Sequence, residues 1–162
     1  MTFRSPEPKK GLDFIGTGVI FFCHDGHGRF LMAKRGVNAR DERGRWDIGA
    51  GAIEFGENIG DALRREIHEE YCTDVIGYDF LGFRNVRRTH EGHPTHWIAL
   101  DYLVAIDPKK VRNGEPHKFD DIRWFNFDGL PDVTDIHSQL PTFFERYSER
   151  LKPEIAYANS MV

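Results

Sequence analysis

Glu66, Glu69 and Glu70 stand at i, i+3 and i+4, so in a helix their three carboxylates share one face. Like charges so placed destabilise an isolated helix by roughly 0.2–0.5 kcal/mol per pair, a cost that asks for a compensating gain. Hard divalent cations prefer oxygen ligands, and a cation held among these carboxylates would offset their repulsion. Arg64 and Arg65 can help hold the cation-free state, Arg65 by pairing with a neighbouring glutamate. A solvated helix face with ordinary surface charge fits the same spacing. Spacing alone leaves both readings open.

The elements that must position this cluster can be read outward from it. Ile59, Leu63 and Ile67 repeat every four residues and predict a helix from about Glu57 to Cys72, with the glutamates along the edge of its buried stripe. They would then sit at the rim of a sheet. Upstream, FIGTGVIFFC (14–23) and RFLMAKR (29–35) are apolar runs around HDGHG, whose Asp25-Gly26 pair signals a hairpin. GVNARDERGR (36–45) reads as a charged loop, and GAGAIEFGE after Ile48 is too rich in glycine for a helix interior. Downstream, VIGYDFLGFRNV (75–86), HWIALDYLVAI (96–106) and DIRWFNF (121–127) read as strands. RTHEGHPTH, between the first two, reads as a solvated hairpin loop near the mouth of the site. Phe143, Phe144, Tyr147 and Leu151 mark the apolar side of a closing helix, with Pro141 suited to its first turn. Strands, an acidic helix, more strands and a last helix do not alternate as a doubly wound fold does. The expected architecture is α/β, a mixed sheet packed between helices.

With 162 residues the chain fits one domain with a real core, expected as a flexible arm over 1–12, a domain over 13–152 and a tail over 153–162. Lys and Arg total 22 against 26 Asp and Glu, a net charge of -4 that argues against a dedicated nucleic-acid or membrane-surface binder. Cys23 and Cys72 are too few for a disulfide scaffold and suit a reducing interior. The first residues hold no apolar signal core and no apolar run reaches membrane-spanning length, so a soluble cytoplasmic protein is expected.

The residues upstream of the cluster extend the pattern. Gly51, five residues, Glu57, seven residues and then Arg65-Glu66-Ile67-His68-Glu69-Glu70 follow in order. This resembles the Nudix box, G-x5-E-x7-R-E-U-x-E-E-x-G-U with U aliphatic. Cys72 stands where the last glycine belongs, Thr73 where the last aliphatic belongs, and Gly49-Ala50-Gly51 where the family commonly has Pro-Gly-Gly. A non-glycine at the helix end gives up the easy left-handed cap, at a cost of ~1 kcal/mol. LMAKR before the box and EPHKFDDIRWFNFDGLP after it are similar to the family's second strand and its closing strand and turn, so the resemblance covers residues 14–150.

The resemblance implies a Nudix-type α/β/α sandwich and a metal-dependent phosphohydrolase. It implies Glu66, Glu69 and Glu70 as ligands of Mg2+ or Mn2+, the backbone carbonyl of Ala50 as a further ligand, and Arg65 beside them in the catalytic group. Glu57 is either an outer metal ligand or the partner that orients Arg65. Arg35 matches a position that often contacts phosphate, though a surface arginine ending a strand fits equally. Glu115 falls in a loop that the family brings over the metals, as an extra ligand or general base; a plain turn residue before Pro116 is the alternative.

Such enzymes cleave a diphosphate linkage in a nucleoside diphosphate derivative. The EPHKFDDIRWFNFDGLP segment favours a nucleoside triphosphate, releasing a nucleoside monophosphate, with ADP-ribose or a nucleotide sugar as the alternative. Some relatives bind nucleotides as sensors without hydrolysing them, but they usually lose box glutamates, and all are present here. The expected partner is a small nucleotide, with no stable nucleic-acid or membrane binding. Many relatives form homodimers, and nothing in this sequence singles out an interface. His90, His93 and His96 lack a zinc-motif spacing and read as loop residues. Gly16 and Gly18 make no dinucleotide fingerprint, since Phe21 takes the third glycine's place, and instead mark close packing or a bend. Trp124 and Phe125 read as core; Trp97 reads as core or as a surface on which a base stacks.

Overall fold

Alternate residues of the first strand, β1 (Gly16–His24), go to opposite sides of a sheet, as a two-residue repeat requires. Val19, Phe21 and Cys23 join one hydrophobic cluster, whereas Ile20 and Phe22 pack in the other. A strand buried on both faces reads as a continuous apolar run, which is why FIGTGVIFFC shows no alternation. The computed structural model describes residues 7–157, with side chains as far as residue 152.

Six further strands surround β1: β2 (Phe30–Arg35), β3 (Trp46–Asp47), β4 (Gly49–Ala52), β5 (Val75–His90), β6 (His93–Ile106) and β7 (Phe119–Phe125). β1 lies parallel to β6 and antiparallel to β4, so the sheet is mixed. β2 meets β1 only at the base of their hairpin and pairs with β7 and β3 in an antiparallel group. One helix, α1 (Ile59–Tyr71), covers the first cluster with Ala62, Leu63, Ile67 and Tyr71. The other, α2 (Leu140–Tyr157), covers the second with Leu140, Phe143, Tyr147 and Leu151. The result is the expected sandwich of helix, mixed sheet and helix. Among the described residues no helix is long and apolar enough to cross a membrane.

Several expectations need adjustment. Ile59 is 40% exposed, so the buried stripe of α1 begins at Ala62 instead. The RTHEGHPTH stretch is not an open loop: β5 and β6 run to His90 and His93, and Glu91-Gly92 alone turns the chain. Both turn residues have positive φ, 50° and 81°, the tight hairpin geometry that matches strand twist. Part of the expected arm is docked, since the His96 N–H donates to the Gly11 carbonyl and the Lys10 ammonium to the Ile53 carbonyl. Residues 1–6 of that arm, and 158–162 of the expected tail, lie outside the described residues; 153–157 continue α2.

The glycines of β1 serve close approach. A Cβ on Gly16 would lie 2.5 Å from the Trp97 ring, and one on Gly18 would lie 2.9 Å from the Gly51 carbonyl oxygen. Cys72 takes the left-handed conformation at the end of α1, φ 54°, with its N–H on the His68 carbonyl. The cap that glycine would make easily is made here by a residue with a side chain.

Candidate active site

α1 begins just after β4 and runs back across it, which brings the helix's carboxylate edge onto the strand. Glu66 lies so close over Gly51 that a Cβ there would sit 1.8 Å from its carboxyl carbon. The glycine opening the motif is therefore a steric necessity. Any side chain would displace the carboxylate.

Arg65 organises this edge. Its Nε and Nη2 donate to the two oxygens of Glu57 at 2.8 and 3.0 Å, Nη1 donates to Glu66 at 2.7 Å, and Nη2 also reaches the Ala52 carbonyl. Glu69, half exposed, stands 3.6 Å from Nη1. Hydrogen bonds from Arg65, with the Glu54 N–H, hold Glu57 at about 2. Burial pushes the Glu66 carboxyl up and Arg65 pulls it back only in part. Of the two roles expected of Glu57, its contacts are those of partner to Arg65. Arg64 points elsewhere, over the Tyr78 ring.

Glu70 is the outlier. It is buried at 1% exposure, its Oε1 accepts a 2.8 Å bond from the Lys118 ammonium, and its Oε2 has no partner. Burial pushes its carboxyl up to about 8, Lys118 opposing and Glu115 and Glu66 reinforcing. A buried polar atom without a partner costs about 1–3 kcal/mol, more if charged, and so points to a missing binding partner. Lys118 also holds Glu115 at 3.0 Å. The loop carrying Glu115 is stitched to the end of α1, with the Gly114 N–H on the Glu70 carbonyl and the Arg112 N–H on the Tyr71 carbonyl. A Cβ on Gly114 would lie 2.0 Å from the Glu69 carbonyl oxygen, so glycine permits that approach.

A divalent cation suits this set. The donors are oxygens, Glu70 Oε2 is unsatisfied, and Glu66 is already seated by Gly51 and Arg65. Among the described residues no three carboxylate, imidazole or thiolate side chains form a finished cation cage. Arg65 and Lys118 instead hold the glutamates one by one.

From this edge a cleft of about 550 Å³ extends across the α2 face of the sheet, a volume typical of small-ligand sites. Ala50, Gly51, Glu66 and Lys118 line its near end. Its floor is a row of laterally paired residues, Ala52, Gly18, Ala99 and Arg84, on β4, β1, β6 and β5. Small side chains in three of these four positions make the depression.

Arg35, on one wall, donates to Asp41 at 2.6 Å and to Asp47 at 3.3 Å. Glu42, in the left-handed conformation at φ 45°, ties the 36–45 loop to Arg88 and to Ser138. Burial opposes its ionisation, but Ser138, His137 and Arg88 bring Glu42 down to about 2. Burial takes neighbouring His137 down to about 4. At the far end Arg84 and Asp101 form a buried bidentate pair at 2.6 and 2.8 Å, and the Tyr147 hydroxyl donates to Asp101 at 2.8 Å.

The structure thus gathers Arg65, Glu66, Glu69, Glu70, Ala50 and Glu115 at one end of the cleft and places Arg35 on its wall. Lys118 and the Arg84–Asp101 pair escaped sequence reading. Lys118 follows Glu115 by three residues, which was a signal for that contact, but nothing in the sequence ties it to Glu70, forty-eight residues away. Arg84 and Asp101 could be matched only once the β5–β6 register is known.

The NUDIX domain family model matches residues 15–147. An RNA pyrophosphohydrolase of Gluconacetobacter diazotrophicus is 25% identical, over 82% of this chain and 91% of its own length. The nucleoside triphosphatase NudI of Klebsiella pneumoniae is 29% identical, over 64% of this chain and 76% of its own. Among solved structures, the MutT NUDIX hydrolase from Burkholderia pseudomallei superposes with a TM-score of 0.69 at 25% identity, over 81% of this chain and 96% of that one.

Proposed function

Because the chain belongs to the NUDIX family and is a Nudix hydrolase, we propose that it hydrolyses the phosphoric anhydride of a nucleoside 5′-triphosphate, releasing the monophosphate and pyrophosphate. Glu70 carries this reading: a buried carboxylate with one oxygen unpartnered, beside Glu66 and at the head of a cleft of nucleotide size. Nudix hydrolases generally use divalent metal ions. Here Glu66, Glu69, Glu70 and the Ala50 carbonyl would hold Mg2+ or Mn2+. Such ions would supply charge neutralisation at the phosphates and activation of the attacking water.

The chain's own residues set the geometry. Gly51 leaves room for Glu66 and Arg65 fixes it, while Glu57 fixes Arg65. Lys118 holds Glu70 and Glu115 on one ammonium, and Glu115 would there serve as general base. Arg35, on the cleft wall, offers its guanidinium to phosphate oxygens. A triphosphate at the 5′ end of an RNA presents the same bond, and a relative is named for that reaction.

Purified protein with Mg2+ or Mn2+ should therefore be given nucleoside triphosphates, a short triphosphorylated RNA, ADP-ribose and a nucleotide sugar. The expected result is monophosphate and pyrophosphate from a nucleoside triphosphate, abolished by EDTA. Preference for the RNA would move the substrate to the transcript end. Turnover of ADP-ribose alone would replace the triphosphate reading, and tight binding without turnover would make the protein a sensor.

A further inference from the structure

The far end of the cleft lies three strand spacings from Ala52, roughly 14 Å along the row Ala52, Gly18, Ala99, Arg84. A nucleotide whose phosphates rest against Glu66 thus extends its base toward Arg84. The cleft walls include Ile20, Val86, Leu140 and Phe143, with Arg88 and His137 among them.

Arg84 is 9% exposed and its orientation is fixed. Asp101 takes Nε and one proton of Nη2, Tyr147 anchors Asp101 from behind, and the guanidinium lies 5.5 Å over the Phe143 ring. Nη1 has no acceptor among the described residues, and Arg84 lines the cleft. The free edge therefore presents parallel N–H donors, one on Nη1 and one on Nη2, and no acceptor.

Paired with Asp101, Arg84 forms a neutral unit, which has little attraction for a phosphate. It suits an uncharged ligand edge that offers adjacent acceptors. We propose that Arg84 is the base-selecting residue of this cleft and that it favours 6-oxopurine nucleotides. Guanine and hypoxanthine present O6 and N7 side by side, matching the fork. Adenine presents an amino donor in place of O6, which would meet the Arg84 N–H groups head on. Gln139 lines the same end, but an amide can turn either way and fits both purines. Discrimination therefore falls to Arg84, with Asp101 and Tyr147 as positioning residues. The proposal rests on the triphosphate reading above, but its tests include one that does not.

In metal-containing buffer, kcat/KM for GTP and ITP should exceed that for ATP by about 10- to 100-fold, the discrimination expected of a bidentate pair. In EDTA, where hydrolysis plays no part, calorimetry should show GMP and IMP binding more tightly than AMP. Deleting acceptors from the ligand avoids any question of folding. 7-Deaza-GTP and 2-aminopurine riboside triphosphate should each lose most of the advantage of GTP. Arg84→Lys keeps a cation against Asp101 and removes the fork; in the folded variant the GTP to ATP ratio should collapse toward unity while metal dependence stays. Equal treatment of GTP and ATP, or indifference to the loss of N7 and O6, overturns the proposal. Weaker inhibition of Arg84→Lys by inorganic triphosphate, with base preference intact, would make Arg84 a phosphate contact instead. If no triphosphate is hydrolysed at all, the triphosphate reading falls, and the GMP against AMP binding data still decide the role of Arg84.

Discussion

At the α1 end of the cleft, Glu57, Glu66, Glu69, Glu70 and Glu115 share two cations, Arg65 and Lys118, and one buried oxygen is left over. At the β5 end Arg84 and Asp101 match one for one, and Tyr147 supplies a further hydrogen bond to Asp101. Each end buries one carboxylate, Glu70 at one and Asp101 at the other, where an uncompensated charge is costly. Only one end compensates fully from within the chain. The contrast separates two jobs. An incomplete set of ligands is where an ion has something to gain, whereas a complete pair is rigid and suits the reading of shape.

Glu70→Gln breaks that contrast most severely. It keeps an acceptor for Lys118 but can no longer ionise to offer a cation a carboxylate, and turnover should fall by orders of magnitude. With its carboxyl pushed up to about 8, Glu70 is largely protonated at neutral pH without metal, so glutamine is a close mimic of it. In EDTA the variant should melt at or above the parent's temperature. Added Mg2+ should raise the parent's melting point and the variant's much less. Identical metal responses would remove Glu70 from the site.

Gly51→Ala tests the seat of Glu66. The new methyl would collide with the far end of a flexible side chain, so Glu66 can swing aside and the fold should survive. Activity should drop by about 10- to 100-fold, as it does when the support of a metal ligand is lost. A large fall in melting temperature would instead show that the glycine serves the backbone.

Acid should loosen the wall that carries His137. The unfolded His137 titrates at 6.5 and the folded one at about 4, so between these values the unfolded chain holds more protons. The stability tied to this neutral imidazole is full above pH 6.5 and lost as pH falls to about 4, a loss that can reach about 3 kcal/mol. His137→Asn should flatten urea midpoints over that range; an unchanged slope would contradict the burial argument.

Tyr147→Phe has the smallest effect. It removes one hydrogen bond to Asp101, worth about 1 kcal/mol, and leaves the fork to Arg84 in place. Hydrolysis should be nearly unchanged, while a loss as large as that of Glu70→Gln would show that the β5 end takes part in the chemistry.

How much of each end was legible in the sequence follows from how local its contacts are. Gly51, Glu57, Arg65 and Glu66 span a strand, a turn and a helix that follow directly, so spacing encoded their meeting. Apolar runs likewise located β1, β2, β6 and α2, because burial on a face leaves a pattern. The β5 end depends on strand register, which sequence spacing does not record. RTHEGHPTH looked like a loop because its residues are polar, yet a two-residue turn at Glu91-Gly92 lets both strands run on into solvent. Ile59 looked buried by periodicity, but it opens the helix at its exposed end, where the sheet no longer covers it.

The seam between β1 and β6 has a consequence for how the molecule assembles. β5 and β6 close on a two-residue turn and can zip from it, whereas Gly16 and Trp97, neighbours across the seam, are far apart along the chain. Pairings of such long sequence separation carry a large loop-closure entropy and slow folding. The floor row crosses this seam between Gly18 and Ala99, so neither half of the chain makes the cleft alone. A nascent chain therefore has no nucleotide site until β6 has emerged and β1 has docked on it, and bound nucleotide can stabilise only the finished fold.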